Sequence, residues 1–362
     1  MTTLEGPVPI PQPGRFLFGG LIYSAEDHTV PICRLDGSPV GTIQLGQDVP
    51  LHMMFRRHEE RDYAWAVCRT GARLFDVTNP AAPSESMAFR PTPGWTFMGA
   101  ALDQETGRVA VVESRNTGQP YDERRLVTWN VYDPQAPRWD GMAPLGTSTS
   151  DRGGLVEMLG VINGRRLCAA TYSATSTAIV DITGPPARVS TSLPCLQAMA
   201  YRGAQLYGTD GDNIMDARSR VRPTHATEMA SRWNTWVDLG TAAPRRIAYL
   251  ECPGFVYDQD PNLRRLTRDG ATYLMSGWTD GYDAEFVSVL SVGINGDLAE
   301  IKRLQLPLGI VPALIDLMPG GGTAWVKGWT PFTLPDGWRY YAVPILGLPT
   351  TARLGDPVEL HP

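Results

Sequence analysis

A short phrase of sequence recurs along this chain of 362 residues, and it constrains the fold more than any other feature. Each copy ends an apolar run at an Asp, passes through small turn-forming residues to a Pro, and leads into another strand-like run. Four clear copies lie at residues 75–83, 131–137, 180–186 and 237–244. Because self-similarity at a regular period is the signature of repeat architectures, we interpret the chain as an array of equivalent units.

Weaker copies extend this series in both directions. One anchor residue per copy gives the set Asp36, Asp76, Asp133, Asp181, Asp238, Asn295 and Gly347. The mean spacing of about 52 residues is at the upper end of the range for propeller blades. Seven anchors predict seven units in a single domain, at roughly residues 7–48, 49–92, 93–145, 146–193, 194–251, 252–308 and 309–362.

Each unit divides into strand-like segments rich in β-branched and aromatic residues, separated by Gly, Pro, Asn and Asp turns. This pattern is typical of an all-β protein. In the best-defined unit the segments cover residues 51–56, 63–68, 72–77 and 85–89. Four antiparallel strands form one propeller blade, and closing the ring removes exposed sheet edges. We therefore predict an all-β fold, a seven-bladed β-propeller of four-stranded antiparallel blades, in preference to a solenoid, which needs capping ends.

The amino-acid sequence of the repeat, above all Phe75–Pro83 (FDVTNPAAP), resembles the LVIVD repeat of bacterial β-propellers. The copies at 180–186 and 237–244 match less fully, and the resemblance covers roughly residues 50–250. It implies a propeller and no particular activity. We interpret the repeated Asp residues as turn formers, because an Asp side chain accepts backbone N–H bonds in an Asx-turn and Pro pre-sets the turn dihedral.

Composition limits the classes of partner. The net charge is −6 and no block of Lys and Arg occurs, so we expect no nucleic-acid partner. No run of 18 apolar residues is present, so we expect no membrane association, and the N-terminal sequence lacks the pattern of a secretory signal, which predicts a cytoplasmic protein. Five scattered cysteines within apolar runs predict reduced, buried thiols.

The segments between the second and third strands of each unit differ in length. The segment at 69–71 is tight, whereas those at 114–125, 210–232, 278–285 and 329–337 are long. Alternating strand direction places all of them at one end of the ring. Function in repeat proteins usually lies in such insertions, so we predict a pocket at this end, over the central channel.

Aromatic side chains are concentrated in the same segments. Trp278 and Trp329 are one repeat period apart, which predicts equivalent positions in neighbouring units. The predicted contacts for a small molecule are Trp95, Gln197, His225, Tyr257, Trp278, Tyr282 and Trp329. Alternatively, these aromatic rings fill gaps between blades, because a buried Trp supplies a large apolar area in either role.

Four residues are candidates for general acid–base catalysis: Glu157, His52, Asp280 and Glu113. Glu157 lies in an otherwise apolar run, where a carboxylate is rarely buried unless it is paired, and a raised pKa would suit it to proton transfer. The structural alternative for Glu157 is a side chain that is hydrated by channel water or bonded to a neighbouring strand. For His52 it is a hydrogen-bonded structural histidine.

No cofactor or metal is predicted. The five histidines are too few for a four-His iron centre, and zinc, phosphate-loop and dinucleotide motifs are missing from the sequence. Calcium bound by rim carboxylates such as Asp210 and Asp212 remains possible, because calcium prefers oxygen ligands.

Two functions stay open. The first is a cofactor-independent enzyme of the isomerase, lyase or cyclase type, which acts on an apolar or aromatic small-molecule substrate through acid–base and electrostatic chemistry. The alternative is a non-catalytic propeller that serves as a protein- or ligand-binding scaffold. The sequence sets neither the substrate nor the oligomeric state.

Overall fold

The computed structural model describes residues 15–25, 28–34, 37–118, 121–148, 154–173, 175–194, 196, 198–211, 231–252, 262–268, 271–279, 285–305, 311–317, 323–329, 338–347, 350–356 and 358–360. Within these ranges the regular secondary structure is β-strand, and no helix occurs. Accordingly, no membrane-crossing helix was found among them.

The strands form seven antiparallel sheets, each built from one continuous stretch of the chain. The first four sheets have four strands each: β1 (Arg15–Phe18), β2 (Leu21–Ser24), β3 (Thr29–Cys33) and β4 (Pro39–Gln44); β5 (Pro50–His58), β6 (Arg61–Cys68), β7 (Gly71–Asp76) and β8 (Ser84–Phe89); β9 (Thr96–Asp103), β10 (Arg108–Asn116), β11 (Asp122–Asn130) and β12 (Arg138–Ser148); β13 (Val156–Ile162), β14 (Arg165–Thr171), β15 (Ser176–Asp181) and β16 (Arg188–Pro194).

The fifth and sixth sheets also have four strands. The remaining strands are β17 (Ala198–Arg202), β18 (Gln205–Gly211), β19 (Ser231–Val237) and β20 (Arg245–Cys252); β21 (Asn262–Arg268), β22 (Ala271–Thr279), β23 (Glu285–Val292) and β24 (Leu298–Gln305); β25 (Val311–Leu317), β26 (Thr323–Trp329), β27 (Trp338–Leu346), β28 (Arg353–Leu354) and β29 (Val358–Leu360). The seventh sheet has five strands, because β28 and β29 both pair with β27. Four strands per sheet is therefore confirmed for six sheets and wrong for the seventh.

The sheets between the first and the last are buried on both faces, as strand β6 of the second sheet illustrates. Successive side chains of a strand point to opposite faces. Tyr63, Trp65 and Val67 pack in a cluster shared with the third sheet. Ala64 and Ala66 pack in a cluster shared with the first sheet. The strand is thus apolar almost throughout, as expected for a sheet with a neighbour on each side.

Six buried apolar clusters join the seven sheets in chain order, and each cluster is shared by two consecutive sheets. The first strands of the second to seventh sheets, from β5 to β25, also contact one another in order. The first strand of each of these sheets therefore lies on the inner side of the array, and the fourth lies on the outer side.

The recurring turn has a structural role that the sequence predicted in part. The carboxylates of Asp76, Asp133 and Asp181 each accept a backbone N–H bond from the residue two positions later, at 2.9–3.0 Å. The Asx-turn prediction is confirmed for these three. Asp238 serves its turn differently, since its φ is 58° and its carboxylate accepts a 2.6 Å bond from Arg245 Nε.

The same turns dock each sheet onto the preceding one. A Cβ atom on Gly41 would lie 2.0 Å from the carbonyl oxygen of Pro80, so only glycine permits this close approach. Across the first five interfaces the facing pairs are Gly41 with Pro80, Arg56 with Tyr132, Gly141 with Pro186, Leu167 with Gly240, and Thr235 with Gly296. The repeat is thus an inter-sheet contact as well as a turn.

Three of the five thiols are described, and among them Cys68 and Cys168 are free. Cys68 and Cys168 are buried, as predicted, and Cys33 is half-buried. Burial raises the pKa of the Cys68 thiol to about 12, so this group remains protonated near neutral pH.

Candidate functional site

The two ends of the sheets differ. We call the end with the recurring turns the repeat end, and the end with the hairpins between second and third strands the hairpin end. At the hairpin end, β6 and β7 are joined at Arg69 and Thr70, whereas β10 and β11 stay paired as far as Asn116 and Asp122. The expectation of a long connecting segment over 114–125 is therefore wrong, because most of it is paired strand.

The third sheet consequently projects beyond the second. The backbone N–H of Phe97 donates to the carbonyl of Arg69 at 3.0 Å, so the tight turn of the second sheet lies level with Phe97. Trp95, two residues earlier, lies beyond this level and is partly exposed. We call the projecting surface formed by Trp95, Glu113, Arg115, Glu123 and Arg125 the step.

Strand periodicity places these polar residues on one face. Val111 on β10 and Val127 on β11 pack towards the second sheet. Since side chains alternate and the β10–β11 register is regular, Glu113 and Arg125 share that face and lie directly opposite each other. Arg115 and Glu123 form the next opposed pair on the same face.

Glu113 is engaged in a buried ion pair. Arg125 Nε donates to Glu113 Oε2 at 2.7 Å, and Arg125 Nη2 lies 2.6 Å from the same oxygen. Glu113 is 1 % exposed. Burial raises the pKa of Glu113, although Arg125 and the backbone N–H of Thr92 act in the opposite direction. Glu113 thus ties the link between β8 and β9 to β11.

Two guanidinium groups of the step lie over the Trp95 ring. The Arg125 Cζ atom lies 3.8 Å from the Trp95 ring centroid, and the Arg115 Cζ atom lies 4.8 Å from it. Both distances are within the range for cation–π attraction. Arg115 also donates from Nε to Glu123 Oε2 at 3.0 Å, but these side chains are 44 % and 38 % exposed. The Arg125 side chain is therefore mostly shielded from water, and the Arg115 side chain faces it.

The other described catalytic candidates lie elsewhere. His52 is 3 % exposed, and its ring meets that of Phe16 edge-on at 5.2 Å, between the first and second sheets. Glu157 is half-buried on β13, opposite Ala169 in the fourth sheet. Each of His52, Glu157 and Glu113 thus belongs to a different sheet. Their catalytic roles stay predictions.

Two of the predicted aromatic contacts are described in backbone only. Trp278 lies one residue before the end of β22 and pairs with Phe286, and Trp329 ends β26 and pairs with Trp338. The two tryptophans therefore occupy similar strand positions at the hairpin end of neighbouring sheets. The predicted site residues Gln197, His225, Tyr257, Asp280 and Tyr282 lie outside the described residues.

In the part of the chain that is described, no group of three or more His, Cys, Asp or Glu side chains is arranged to hold a metal ion. Asp212 of the possible calcium segment lies outside that part, and Asp210 is described in backbone only.

Arg125 and Glu123 were not among the site residues predicted from the sequence. The signal was present in the order of charges, because Glu113-Ser114-Arg115 is matched across the hairpin by Glu123-Arg124-Arg125. Antiparallel pairing of the two segments sets each Glu opposite an Arg, which stabilises cross-strand pairs. Reading that signal requires knowing that both strands continue through the charged residues.

No protein-family model matches the chain, and no curated protein matches it either. Solved structures do resemble it. A hypothetical selenium-binding protein from Sulfolobus tokodaii aligns with a TM-score of 0.60 at 8 % identity and covers 98 % of this chain and 92 % of its own. The dihydro-heme d1 dehydrogenase NirN aligns with a TM-score of 0.55 at 14 % identity, and the alignment covers 100 % of this chain and 68 % of the NirN chain. A chain of the Chaetomium thermophilum Polycomb Repressive Complex 2 aligns with a TM-score of 0.55 at 10 % identity, and the alignment covers 91 % of this chain and 95 % of the other.

These similarities concern the fold, because identities this low carry no information about activity. The neighbours are β-propeller-type folds. Together with the consecutive antiparallel sheets and the shared apolar clusters, they show that this chain has a β-propeller-type fold.

Proposed function

We propose that the chain is a seven-bladed β-propeller that binds an apolar or aromatic small molecule at its hairpin end. Seven sheets, each from one continuous stretch and packed in chain order, support seven blades. The Asx-turns of the recurring phrase support an LVIVD-type repeat.

The observation that carries the binding proposal is the partly exposed Trp95 on the step. A tryptophan ring supplies a large, rigid contact area, and binding sites combine such surfaces with a few placed polar groups. Here Arg125 lies against the ring, and Glu113 fixes Arg125. Trp95 is therefore held in position before any ligand arrives, which lowers the entropic cost of binding.

Catalysis on the bound molecule is a second proposal, and the partial exposure of Glu157 on an innermost strand favours it. A cofactor-independent isomerase, lyase or cyclase needs a group that can exchange a proton with its substrate. Glu157, with Asp280, remains the candidate for that role. Glu113 suits a positioning role better, because it is buried and already bound by Arg125.

The test is a binding screen of aromatic and apolar metabolites by ligand-observed NMR, with Trp95→Ala beside the wild-type protein. We expect the variant to weaken binding about tenfold, the effect of losing one aromatic contact. Trp139→Ala is the matched control, because Trp139 is exposed on the outer strand β12 of the same sheet. We expect no change in the control.

Two outcomes would redirect the proposal. If no metabolite binds in a Trp95-dependent way, the scaffold alternative is favoured, and capture of protein partners is the next experiment. If a metabolite binds and is converted, Glu157→Gln should abolish turnover and leave binding intact. Unchanged turnover in that variant would remove Glu157 from the mechanism.

A further inference from the structure

The two arginines of the step differ in what holds them. Arg125 has its Nε and one Nη within 2.7 Å of a carboxylate that is almost fully buried. Removing one member of such a pair leaves the other charge without a partner and away from water, which is unfavourable. The pair therefore stays together. The Nε and Nη2 edge of Arg125 is therefore occupied by Glu113, while the guanidinium lies over the Trp95 ring.

Arg115 is held by an ion pair that faces water, in which its Nε and Nη2 both donate to Glu123 Oε2. Its partner Glu123 is exposed, and both side chains are in contact with water. Exposed pairs of this kind add little to stability, so either partner is readily exchanged for another ion. The Arg115 guanidinium nevertheless stays close to the Trp95 ring, at 4.8 Å from its centroid. A displaceable cation thus lies beside a fixed aromatic surface.

We infer that the step binds a planar aromatic anion, with its ring on Trp95 and its carboxylate or phosphate group on Arg115. This inference rests on the proposed function and names the class of ligand. A guanidinium fork matches the two oxygens of a carboxylate or phosphate, and it also tolerates stacking beside an aromatic ring. The incoming anion replaces Glu123 as the partner of Arg115, and Glu123 turns to water.

The space for such a ligand comes from the unequal hairpins. The second sheet ends at Arg69 and Thr70, level with Phe97, so the part of the step beyond Phe97 is not covered by that hairpin. Glu113 and Arg125 cancel each other's charge within the step, and Glu123 is the carboxylate that competes for Arg115. This competition predicts that removing the Glu123 charge strengthens binding.

The experiment is isothermal titration of the full chain with three probes: indole-3-carboxylate, the neutral indole-3-carboxamide and cyclohexanecarboxylate. We expect the aromatic acid to bind about tenfold more tightly than either other probe, which lack its charge or its ring. Arg115→Gln should remove the preference for acid over amide, Glu123→Gln should increase it, and Trp95→Ala should weaken both indole probes.

Arg57→Gln is the matched control, because Arg57 is an exposed arginine paired with Asp62 at the repeat end. It should bind all probes as the wild type does. Equal affinity for acid and amide, with retained dependence on Trp95, would overturn the inference and leave the proposed function standing. If Arg57→Gln lost the preference for acid over amide as fully as Arg115→Gln, the inference would also be overturned, because the preference would then reflect the overall charge of the protein.

Failure of all three probes to bind in a Trp95-dependent way at millimolar concentration would overturn this inference. The broader metabolite screen would then decide separately whether the proposed binding function survives.

Discussion

The repeat end and the hairpin end of this protein are built from the same sheets but follow different rules. At the repeat end, equivalent turns make equivalent contacts with the preceding sheet at five successive interfaces. At the hairpin end, the tight turn after β6 lies beside the extended β10–β11 hairpin. The repeat end thus makes the same contact from one sheet to the next, whereas the hairpin end varies between sheets and can carry a site.

Two carboxylates show the same contrast in their electrostatics. Asp76, in a recurring turn, has a lowered pKa, because hydrogen bonds from Thr78 and the charge of Arg61 outweigh the effect of its burial. Glu113, in the step, has a raised pKa, because its deeper burial outweighs its bonds to Arg125 and Thr92. The first carboxylate stabilises a turn, and the second is kept in place by its ion pair.

The largest effect is expected when the buried pair of the step is broken. Glu113→Gln should lower the free energy of unfolding by about 3–5 kcal/mol, because it leaves the Arg125 charge buried without its counter-ion. Urea unfolding followed by circular dichroism measures the change. The double variant Glu113→Met/Arg125→Leu, which removes both charges, should recover most of the loss. A double variant as unstable as Glu113→Gln would argue against this explanation.

A smaller loss is expected at the repeat end from Gly41→Ala. The new methyl group would meet the carbonyl oxygen of Pro80, and overpacking of this kind costs about 1–3 kcal/mol. Gly184→Ala is the control, because no atom lies within 4 Å of a Cβ atom there. Thermal unfolding should separate the two variants. Equal melting temperatures would mean that the turn does not dock tightly on the first sheet.

Loss of an Asx-turn should lower the free energy of unfolding by a still smaller amount. Asp76→Ala removes the acceptor of the Thr78 N–H bond and should lower the free energy of unfolding at neutral pH by about 1 kcal/mol. Tyr132→Ala, in an exposed part of another copy, measures instead the cation–π contact with Arg56. A neutral result for Asp76→Ala would show that backbone contacts alone define the recurring turn.

The two carboxylates should also respond to pH in opposite directions. Because the native pKa of Asp76 is lowered, its contribution is complete above its unfolded-state pKa and is lost as pH falls through the native value. Because the native pKa of Glu113 is raised, its contribution is complete below its unfolded-state pKa and declines as pH rises through the native value. The difference in the free energy of unfolding between wild type and Asp76→Ala should therefore shrink in acid. A difference that stays constant in urea titrations at several pH values would contradict this assignment.

The smallest expected effect is a gain in stability. Glu59 and Glu60 join β5 to β6 with φ values of 47° and 65°, a left-handed conformation that favours Asn and Gly in two-residue hairpins. Glu60→Gly should stabilise the protein by up to about 1 kcal/mol. Ala82→Gly, at an exposed turn position without positive φ, should instead destabilise it slightly. A loss in Glu60→Gly would show that the Glu60 side chain makes a contact that outweighs the strain.

Sequence patterns predicted well those features that depend on neighbouring residues. The strands β5 to β8 lie where apolar alternation and turn residues placed them, and Asp76, Asp133 and Asp181 form the expected Asx-turns. Asp238 departs from this pattern, and its partner Arg245 lies seven residues further along the chain.

The step was predicted only in part. Trp95 and Glu113 were selected from the sequence, but the continuation of β10 and β11 was not, because Glu, Asp and Asn are uncommon in strands. Charged residues remain in a strand when an opposite charge faces them, and that condition depends on the register of the whole hairpin. The role of Glu113 changed for the same reason, since its partner Arg125 comes from the next strand.

The repeating units, their turns and the all-β class follow from the sequence alone, because turn chemistry and side-chain alternation act between residues close in the chain. Only the tertiary structure decided that the turns dock on the preceding sheet, that the third sheet projects beyond the second, and that Glu113 is buried against Arg125 beneath Trp95. Those features arise from packing and electrostatics between residues far apart in the chain, whose energies depend on how the sheets are placed against one another.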